Sequence, residues 1–242
     1  LVNAVGVVQG GAVTPYLNTK ARIRVVPAVA GGARVSVSAN GNSLAESAVS
    51  PSIGAYQLVN AGAQTLATSV NGTALAPRTV TLAAGADMTV LVTGTSAAAA
   101  TVNAITDDNR LPTTTSRYKI RMIHAAPSLA EMPVTMYINS SQVVSNLAFG
   151  MASAFSTEVS VNDARLELSE PGRGTFYTNN AVDFLSGAVY TVFVFDYAGG
   201  RVGVAARGFV LRPLSAPTAG WYHPDYDASE AVGDDPHRYY RW

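Results

Sequence analysis

The sequence contains no cysteine in its 242 residues. Disulfide bonds, thiolate nucleophiles and metal sites built on cysteine are therefore excluded. Charge is also scarce, because charged residues make up only 13% and the 16 basic and 16 acidic residues cancel. A neutral chain lacks the electrostatic footprint that nucleic acid or anionic lipid attracts, so neither is an expected partner. Low charge at zero net charge instead favours self-association.

Long apolar runs and helical periodicity are missing as well. No run of about 18 apolar residues exists, so no transmembrane helix is expected. No window combines a helical apolar period with caps at both ends. Apolar residues nevertheless make up 48% of the chain, which is enough to build a core.

Strand patterns dominate the sequence instead. Four clear examples alternate apolar and polar residues or run apolar with β-branched and aromatic residues: 33–40, 87–94, 133–139 and 190–197. Turn dipeptides such as Asn40-Gly41 and Asn71-Gly72 separate the strands. Many short strands at this spacing predict an all-β sandwich.

An internal repeat sets the predicted domain organisation. The stretch "RIRVVPAVA" at 22–30 returns as "KIRMIHAAP" at 119–127, and later matches keep the same order at offsets from 97 to 102 residues. Conserved order with drifting offset indicates duplication with loop insertions. The predicted organisation is an N-terminal strand segment, a first domain, a linker, a second domain and a C-terminal arm, at 1–20, 21–109, 110–117, 118–212 and 213–242.

The same repeat carries a family resemblance. Residues 121–155 hold His124-Ala-Ala-Pro127, a Val134–Tyr137 strand, an Asn139-Ser140 turn and Asn146–Gly150 before Phe155. This order resembles the opening half of a bacterial secreted repeat family, domain of unknown function 4397. The segments 82–94 and 105–109 resemble its closing half.

The resemblance covers most of 21–212 and is degraded in the first copy, where Pro27 replaces the family's histidine and the Asn-Leu-Ala-Phe-Gly run is absent. It implies export, tandem copies on envelope or extracellular proteins, and an immunoglobulin-like sandwich. The expected fold is therefore all-β, with two tandem immunoglobulin-like β-sandwich domains, an N-terminal strand and an extended aromatic C-terminal arm. The family implies no known reaction and transfers no catalytic residue.

Three polar or apolar motifs have a functional and a structural interpretation. His124 is either a ligand or proton carrier, or a structural histidine that donates to a backbone carbonyl. Asn146–Gly150 is either a ligand-binding edge or a strand that buries Leu147 and Phe149 before a turn. Asp107-Asp108-Asn109 offers oxygen ligands for calcium or is a solvated linker. The structural interpretation is the expected one in each case.

No catalytic, cofactor-binding or metal residues are predicted. The three histidines fit no metal-ligand spacing, and no nucleophile elbow or phosphate loop is present.

The C-terminal segment 220–242 lies outside the repeat and is rich in aromatic side chains. Aromatic residues are enriched at interfaces, so we predict partner binding by Trp221, Tyr222, Tyr226, Tyr239, Tyr240 and Trp242. Docking onto another subunit or protein is preferred over packing back on the same chain. A third interpretation places a metal on His223, Asp225, Asp227 and His237.

The N-terminal segment 1–16 is apolar, β-prone and interrupted at Gly10-Gly11. Alone it cannot be stable, so it is predicted to add to a sheet edge of its own chain or of a neighbour. The predicted assembly residues in it are Val2, Val5, Val7 and Val8.

These features predict a non-enzymatic structural or adhesive protein of the bacterial surface or extracellular space. It is expected to form filaments with itself through its two ends, or to pair with another envelope protein. The chain begins at Leu1, for which removal of a signal peptide is the expectation and a segment boundary the alternative. The alternative function is an extracellular module that binds carbohydrate or another envelope ligand, and an enzyme ranks last.

Overall fold

The fold is all-β, as the sequence predicts. The structure is a computed structural model that describes the backbone of residues 4–7, 13–197 and 201–210 and the side-chain environment of residues 17–196. Strands dominate the described residues, and two short 3₁₀ turns lie at Ala30–Gly32 and Pro127–Leu129. No helix in these residues is long and apolar enough to cross a membrane.

The chain divides into two compact units, Leu1–Asp108 and Asn109–Trp242. The strands of the first unit are β1 (Ala4–Val7), β2 (Val13–Tyr16), β3 (Lys20–Val29), β4 (Arg34–Ala39), β5 (Asn42–Val49), β6 (Gln57–Asn60), β7 (Gly62–Val70), β8 (Thr73–Ala74), β9 (Arg78–Leu82), β10 (Asp87–Gly94) and β11 (Thr101–Asp107). Those of the second unit are β12 (Arg117–Ala125), β13 (Val134–Ile138), β14 (Ser141–Leu147), β15 (Ser156–Val159), β16 (Val161–Glu170), β17 (Gly174–Phe184), β18 (Ala188–Tyr197) and β19 (Arg201–Val210).

The first unit stacks two sheets around one core. One sheet has the order β11-β10-β3-β6, and the other has the order β5-β4-β7-β8 with β9 also paired to β7. Alternate residues of β3 and β10 point into the core between the sheets, where Ile23, Val25 and Val90 are buried with Val35 and Leu66 from the opposite sheet. This alternation is the pattern from which the strands were predicted.

The second unit has the corresponding sheets. Their strand orders are β15-β12-β18-β19 and β14-β13-β16-β17. The central strands are paired in parallel in both units, β3 with β10 and β12 with β18, and the remaining pairs are antiparallel. An aromatic trio closes the second core, with Tyr118 stacked on Phe184 at 4.8 Å and Tyr190 set edge-on to both rings.

A hydroxyl holds a β-bulge at the same place in each unit. Ser47 has a φ of 49° and donates its N–H to Ser36 Oγ at 2.9 Å. Asn146 has a φ of 45° and donates its N–H to Thr135 Oγ1 at 3.0 Å. The register of the adjoining strand pair shifts around both positions. The repeat in the sequence therefore extends to individual hydrogen bonds.

The turn asparagines are repeated in the same way. Asn40 and Asn139 both have a φ of 48°, a left-handed conformation that asparagine tolerates well. The side-chain oxygen of Asn40 accepts the N–H of Thr65, and that of Asn139 accepts the N–H of Arg165, each at 2.8 Å. Each turn is thereby tied to the next strand of its sheet.

The N-terminal segment differs from the single strand that the sequence predicts. β1 and β2 form a two-stranded antiparallel sheet, from Ala4 opposite Tyr16 to Val7 opposite Val13. The predicted break at Gly10-Gly11 lies between these two strands. The segment is called the N-terminal ribbon below.

We predict that Thr135→Ala weakens the bulge in the second unit. The hydroxyl supplies the hydrogen bond of the Asn146 N–H, and such a bond contributes about 1 kcal/mol. Hydrogen–deuterium exchange of that amide should accelerate about fivefold. Ser36→Ala should do the same to the Ser47 amide, whereas Ser38→Ala on the same strand should leave it unchanged; an unaltered exchange rate in both bulge variants would contradict the assignment.

Candidate functional site

The most concentrated polar chemistry of the described residues lies on the outer face of the β3–β10 pair. The parallel register sets Asp87 beside Arg22 and Thr89 beside Arg24. Because side chains alternate along a strand, the residues that flank the arginines enter the core while both arginines point to the other face. The basic-apolar-basic pattern at 22–24 thus reflects a strand with two basic side chains on its outer face and one apolar side chain in the core.

Arg22 and Asp87 form a bidentate ion pair. Nε and Nη2 of Arg22 donate to Oδ1 and Oδ2 of Asp87 at 2.7 and 2.6 Å. This hydrogen bonding holds the pKa of the Arg22 guanidinium above its usual value.

A second network lies deeper on the same face. Arg24 Nε donates to Thr89 Oγ1 at 2.8 Å, and Thr89 Oγ1 donates to Asp107 Oδ2 at 2.6 Å. The Tyr56 hydroxyl donates to the same oxygen at 2.5 Å, and Arg24 Nε is 3.9 Å from it. The Tyr56 ring also covers the guanidinium carbons of Arg24 and Arg22, at 4.7 and 5.2 Å from the ring centre.

The second unit repeats the cations and the ring. Arg121 and Lys119 lie over the Phe155 ring at 4.7 and 4.8 Å. Arg121 Nε donates to Thr191 Oγ1 at 3.2 Å, in the position of Arg24 and Thr89, and Lys119 Nζ donates to the Arg110 carbonyl at 2.9 Å. Arg121 is only 2% exposed. We call the two groups the cation–ring clusters, of Tyr56 and of Phe155.

These clusters hold buried charge in place. In the Tyr56 cluster the hydroxyl groups of Tyr56 and Thr89 both donate hydrogen bonds to Asp107 Oδ2. The same oxygen lies 3.9 Å from Arg24 Nε. Guanidinium groups remain protonated in proteins and so cannot serve as bases. The hydrogen bonds of the arrangement join β3, β10 and β11 to the segment that carries Tyr56.

Asp107 corrects one expectation from the sequence. The run Asp107-Asp108-Asn109 reads as a solvated linker, but Asp107 is the last residue of β11 and its side chain is fully buried in the Tyr56 cluster. The register of β10 and β11 sets Asp107 opposite Asp87, which places a second acid beside the arginines, and no local sequence signal shows this pairing. Among the residues the structure describes, no three side chains are grouped as metal ligands.

His124 has the structural role that was predicted. It is fully buried, and its Nε2 lies 3.3 and 3.1 Å from the carbonyl oxygens of Leu129 and Met132. Its Nδ1 accepts the N–H of Ala126 at 3.4 Å, so the imidazole is neutral with the proton on Nε2. Burial lowers the pKa of His124, against smaller opposing effects of these carbonyls and of Asp196 and Glu170.

The Asn146–Gly150 motif matches its structural interpretation only in part. β14 ends at Leu147, and Gly150 makes the turn with a φ of 76°. Leu147 and Phe149 are half-buried rather than buried, since β14 is an edge strand, and the Phe149 ring meets His124 edge-on at 5.6 Å.

A polar cleft lies between the edge strands β5 and β6. It is lined by amide side chains, but these already bond to the protein: Gln57 Nε2 donates to the Leu44 carbonyl at 2.5 Å and Gln64 Nε2 to the Asn60 carbonyl at 2.9 Å. Lys20 Nζ donates to Asn60 Oδ1 at 2.6 Å. The amide groups of Gln57, Asn60 and Gln64 therefore form hydrogen bonds within the protein at this edge of the sandwich.

The predicted assembly residues are mostly outside the described part of the chain. Val5 and Val7 lie in β1, with Val5 opposite Pro15. Outside the described residues lie Val2, Val8, Trp221, Tyr222, Tyr226, Tyr239, Tyr240 and Trp242, and also the metal alternative of His223, Asp225, Asp227 and His237. The structure thus places two of the ten assembly residues.

The sheets define an all-β protein of the sandwich class. Within it, residues 21–135 match the family model described as Domain of unknown function (DUF4397), which supports that domain family for this part of the chain. The match begins in β3 and ends in β13, so it includes the whole Tyr56 cluster. A search of the curated proteins found no match.

We predict that Asp107→Ala destabilises the first unit by about 3–5 kcal/mol, since it leaves the Arg24 guanidinium buried without its carboxylate. Chemical denaturation measures the loss. The double variant with Arg24→Met should recover part of it. Glu167→Ala breaks the more exposed Arg165–Glu167 pair and should cost less than about 1 kcal/mol; equal effects of the two single variants would refute the assignment.

His124 predicts an acid sensitivity in the second unit. Its folded pKa is lowered, so the unfolded chain binds the additional proton as the pH falls below about 6.5. Stability contributed by the neutral imidazole is fully present above that pH and is lost below it, by at most about 1.4 kcal/mol per pH unit. The free energy of unfolding of His124→Asn should fall less steeply from pH 7 to pH 5; parallel profiles of the two proteins would exclude this origin.

Proposed function

We propose that this chain is a non-enzymatic, exported structural or adhesive protein of the bacterial surface that assembles with itself through its two ends. The observation that carries the proposal is the N-terminal ribbon, a separate two-stranded sheet of apolar sequence. An isolated two-stranded sheet is at best marginally stable in water, and three or more strands are needed to bury a face. The ribbon therefore gains most by joining a further strand.

The composition supports the same proposal. Residues 1–16 carry no charged side chain, and the whole chain has zero net charge, so little repulsion opposes association. The aromatic arm at 213–242 supplies side chains of the type that forms the centre of protein interfaces. Backbone pairing at the ribbon gives affinity, and the aromatic side chains give specificity.

The non-enzymatic part of the proposal is supported by how the polar side chains are used. In the Tyr56 cluster, Arg24, Thr89 and Asp107 bond to one another, and His124 bonds to backbone carbonyls. Both arrangements stabilise strands.

We propose further that the two units are tandem immunoglobulin-like copies of the family domain. Their support is the shared strand order, the parallel central pair and the repeated bulge. An experimental structure with a different strand order in either unit would contradict this.

Assembly is tested by imaging. Negative-stain microscopy and sedimentation of the full chain should show filaments or large oligomers. Deletion of residues 1–12 should abolish them and leave both units folded, as judged by circular dichroism and thermal melting. A second variant replaces both tail tryptophans, Trp221→Ala and Trp242→Ala. It keeps the ribbon and should weaken assembly through the C-terminal arm. Intact polymers after the deletion would refute the proposed role of the N-terminus.

Export is tested in cells of the native host. The chain should be cleaved by protease added to intact cells or be recovered from the medium. Full protection of the chain in intact cells would overturn the proposed location.

A further inference from the structure

Sheet edges differ sharply in how well they are protected. An edge strand presents unpaired backbone groups that another strand can join, and proteins blunt such edges with bulges, short strands, charged side chains or capping groups. Most edge strands of the four sandwich sheets in the described residues show such a device.

The sheets that contain β4 and β13 have irregular edges. β5 and β14 each show two register shifts against their neighbours, and β17 shows three. The edge beside β7 is divided between β8, of two residues, and β9, of five. A bulged or interrupted edge does not offer a regular series of backbone hydrogen bonds to an incoming strand.

Three edges of the other two sheets are also blunted. β6 and β15 have four residues each. On β6 the carbonyl of Asn60 is capped by Gln64 Nε2 at 2.9 Å. On β11 the carbonyl of Val102 is capped by the Arg78 guanidinium.

β19 is neither short nor bulged, and its only charged side chains are those of Arg201 and Arg207. Its ten residues, Arg201–Val210, pair with β18 in unbroken register from Ala188 opposite Val210 to Tyr197 opposite Arg201. It contains no proline and no lysine. Within the residues that the structure describes, its other side pairs with no strand. β19 is therefore the longest edge in unbroken register among the sandwich strands that the structure describes.

The N-terminal ribbon has one usable side. Pro15 in β2 has no N–H to donate, so a ladder along β2 loses a hydrogen bond. β1 contains no proline, and its sequence AVGV is uncharged. β1 is the better donor strand of the two.

We propose that β1 of one copy pairs with β19 of a second copy of this chain. This inference rests on the proposed self-assembly and names the surface it uses. Each partner supplies what the other lacks: the ribbon gains a third strand, and the long edge gains hydrogen bonds.

Charge favours the N-terminal ribbon over the β19 of another copy as the strand that pairs with β19. β19 carries Arg201 and Arg207 and no acidic residue, so pairing two copies of β19 brings positive charge toward positive charge. The ribbon brings no charge to this basic edge. Because β1 and β19 are different surfaces of the chain, their contact is head-to-tail and continues into an open filament unless a ring closes.

The absence of cysteine from the sequence makes a clean cross-linking test available. Val5→Cys is mixed with single-cysteine variants at each position of 203–208, and disulfide-linked heterodimers are measured after mild oxidation. Cross-linking should rise and fall with a period of two residues, because alternate side chains share a face with Val5. The matched control scans 42–49 on the bulged β5 edge and should give no such pattern.

The outcomes separate this inference from the proposed function. Filaments without the periodic heterodimer would show that assembly uses another edge, and would overturn only the pairing of β1 with β19. Predominant β19–β19 homodimers would refute the ribbon as occupant. A chain carrying both Val5→Cys and Ala205→Cys that cross-links only within itself, at monomer mass, would refute pairing between copies. No filaments and no heterodimer would refute both proposals.

Discussion

Each unit is organised by a pair of parallel strands that is buried on both faces. One face of β3 and β10 enters the core, and on the other face Arg24 and Thr89 are 3% and 0% exposed. Parallel strands in general occupy such doubly covered positions. A basic side chain placed there is costly unless it is paired, and this requirement explains Thr89, Asp107 and the ring of Tyr56 around Arg24.

The two units satisfy this requirement with different residues. Arg24 and Arg121, Thr89 and Thr191, and Tyr56 and Phe155 correspond. The register positions of Asp87 and Asp107 in the first unit are occupied by Val189 and Phe209 in the second. The ring and the cations are thus common to both units, while the two acids of the first unit have apolar residues at their register positions in the second.

The first unit has Pro27 where the second unit has His124, and this difference changes one backbone hydrogen bond. In the second unit the backbone N–H of His124 bonds to the Met151 carbonyl at 3.0 Å. Proline lacks this donor, and the carbonyl of Pro27 still accepts the N–H of Ser52 at 3.1 Å. One edge hydrogen bond is therefore given up in the first unit.

Local patterns were readable in the sequence, and long-range pairings were not. Alternation and the turn at Asn40 predicted strands and corners correctly, because a strand face and a left-handed turn depend on a few neighbouring residues. The burial of Asp107 depends on β11 lying beside β10, and polar composition alone gave the wrong environment. The N-terminal segment was predicted as a strand with a break at Gly10-Gly11, and the pairing of β1 with β2 on either side of that break was not predicted. The assignment of His124 succeeded because its partners lie within eight residues.

The parallel central pair also governs how the chain reaches this structure. Arg22 bonds to Asp87 across 65 residues, and Arg121 bonds to Thr191 across 70. Contacts so distant along the chain close late and slowly, since their loop entropy must be lost before the ladder forms. The whole of β10 must therefore be available before β3 finds its neighbour. Two units of similar sequence in one chain could also exchange strands, and folding of one unit before the other avoids this.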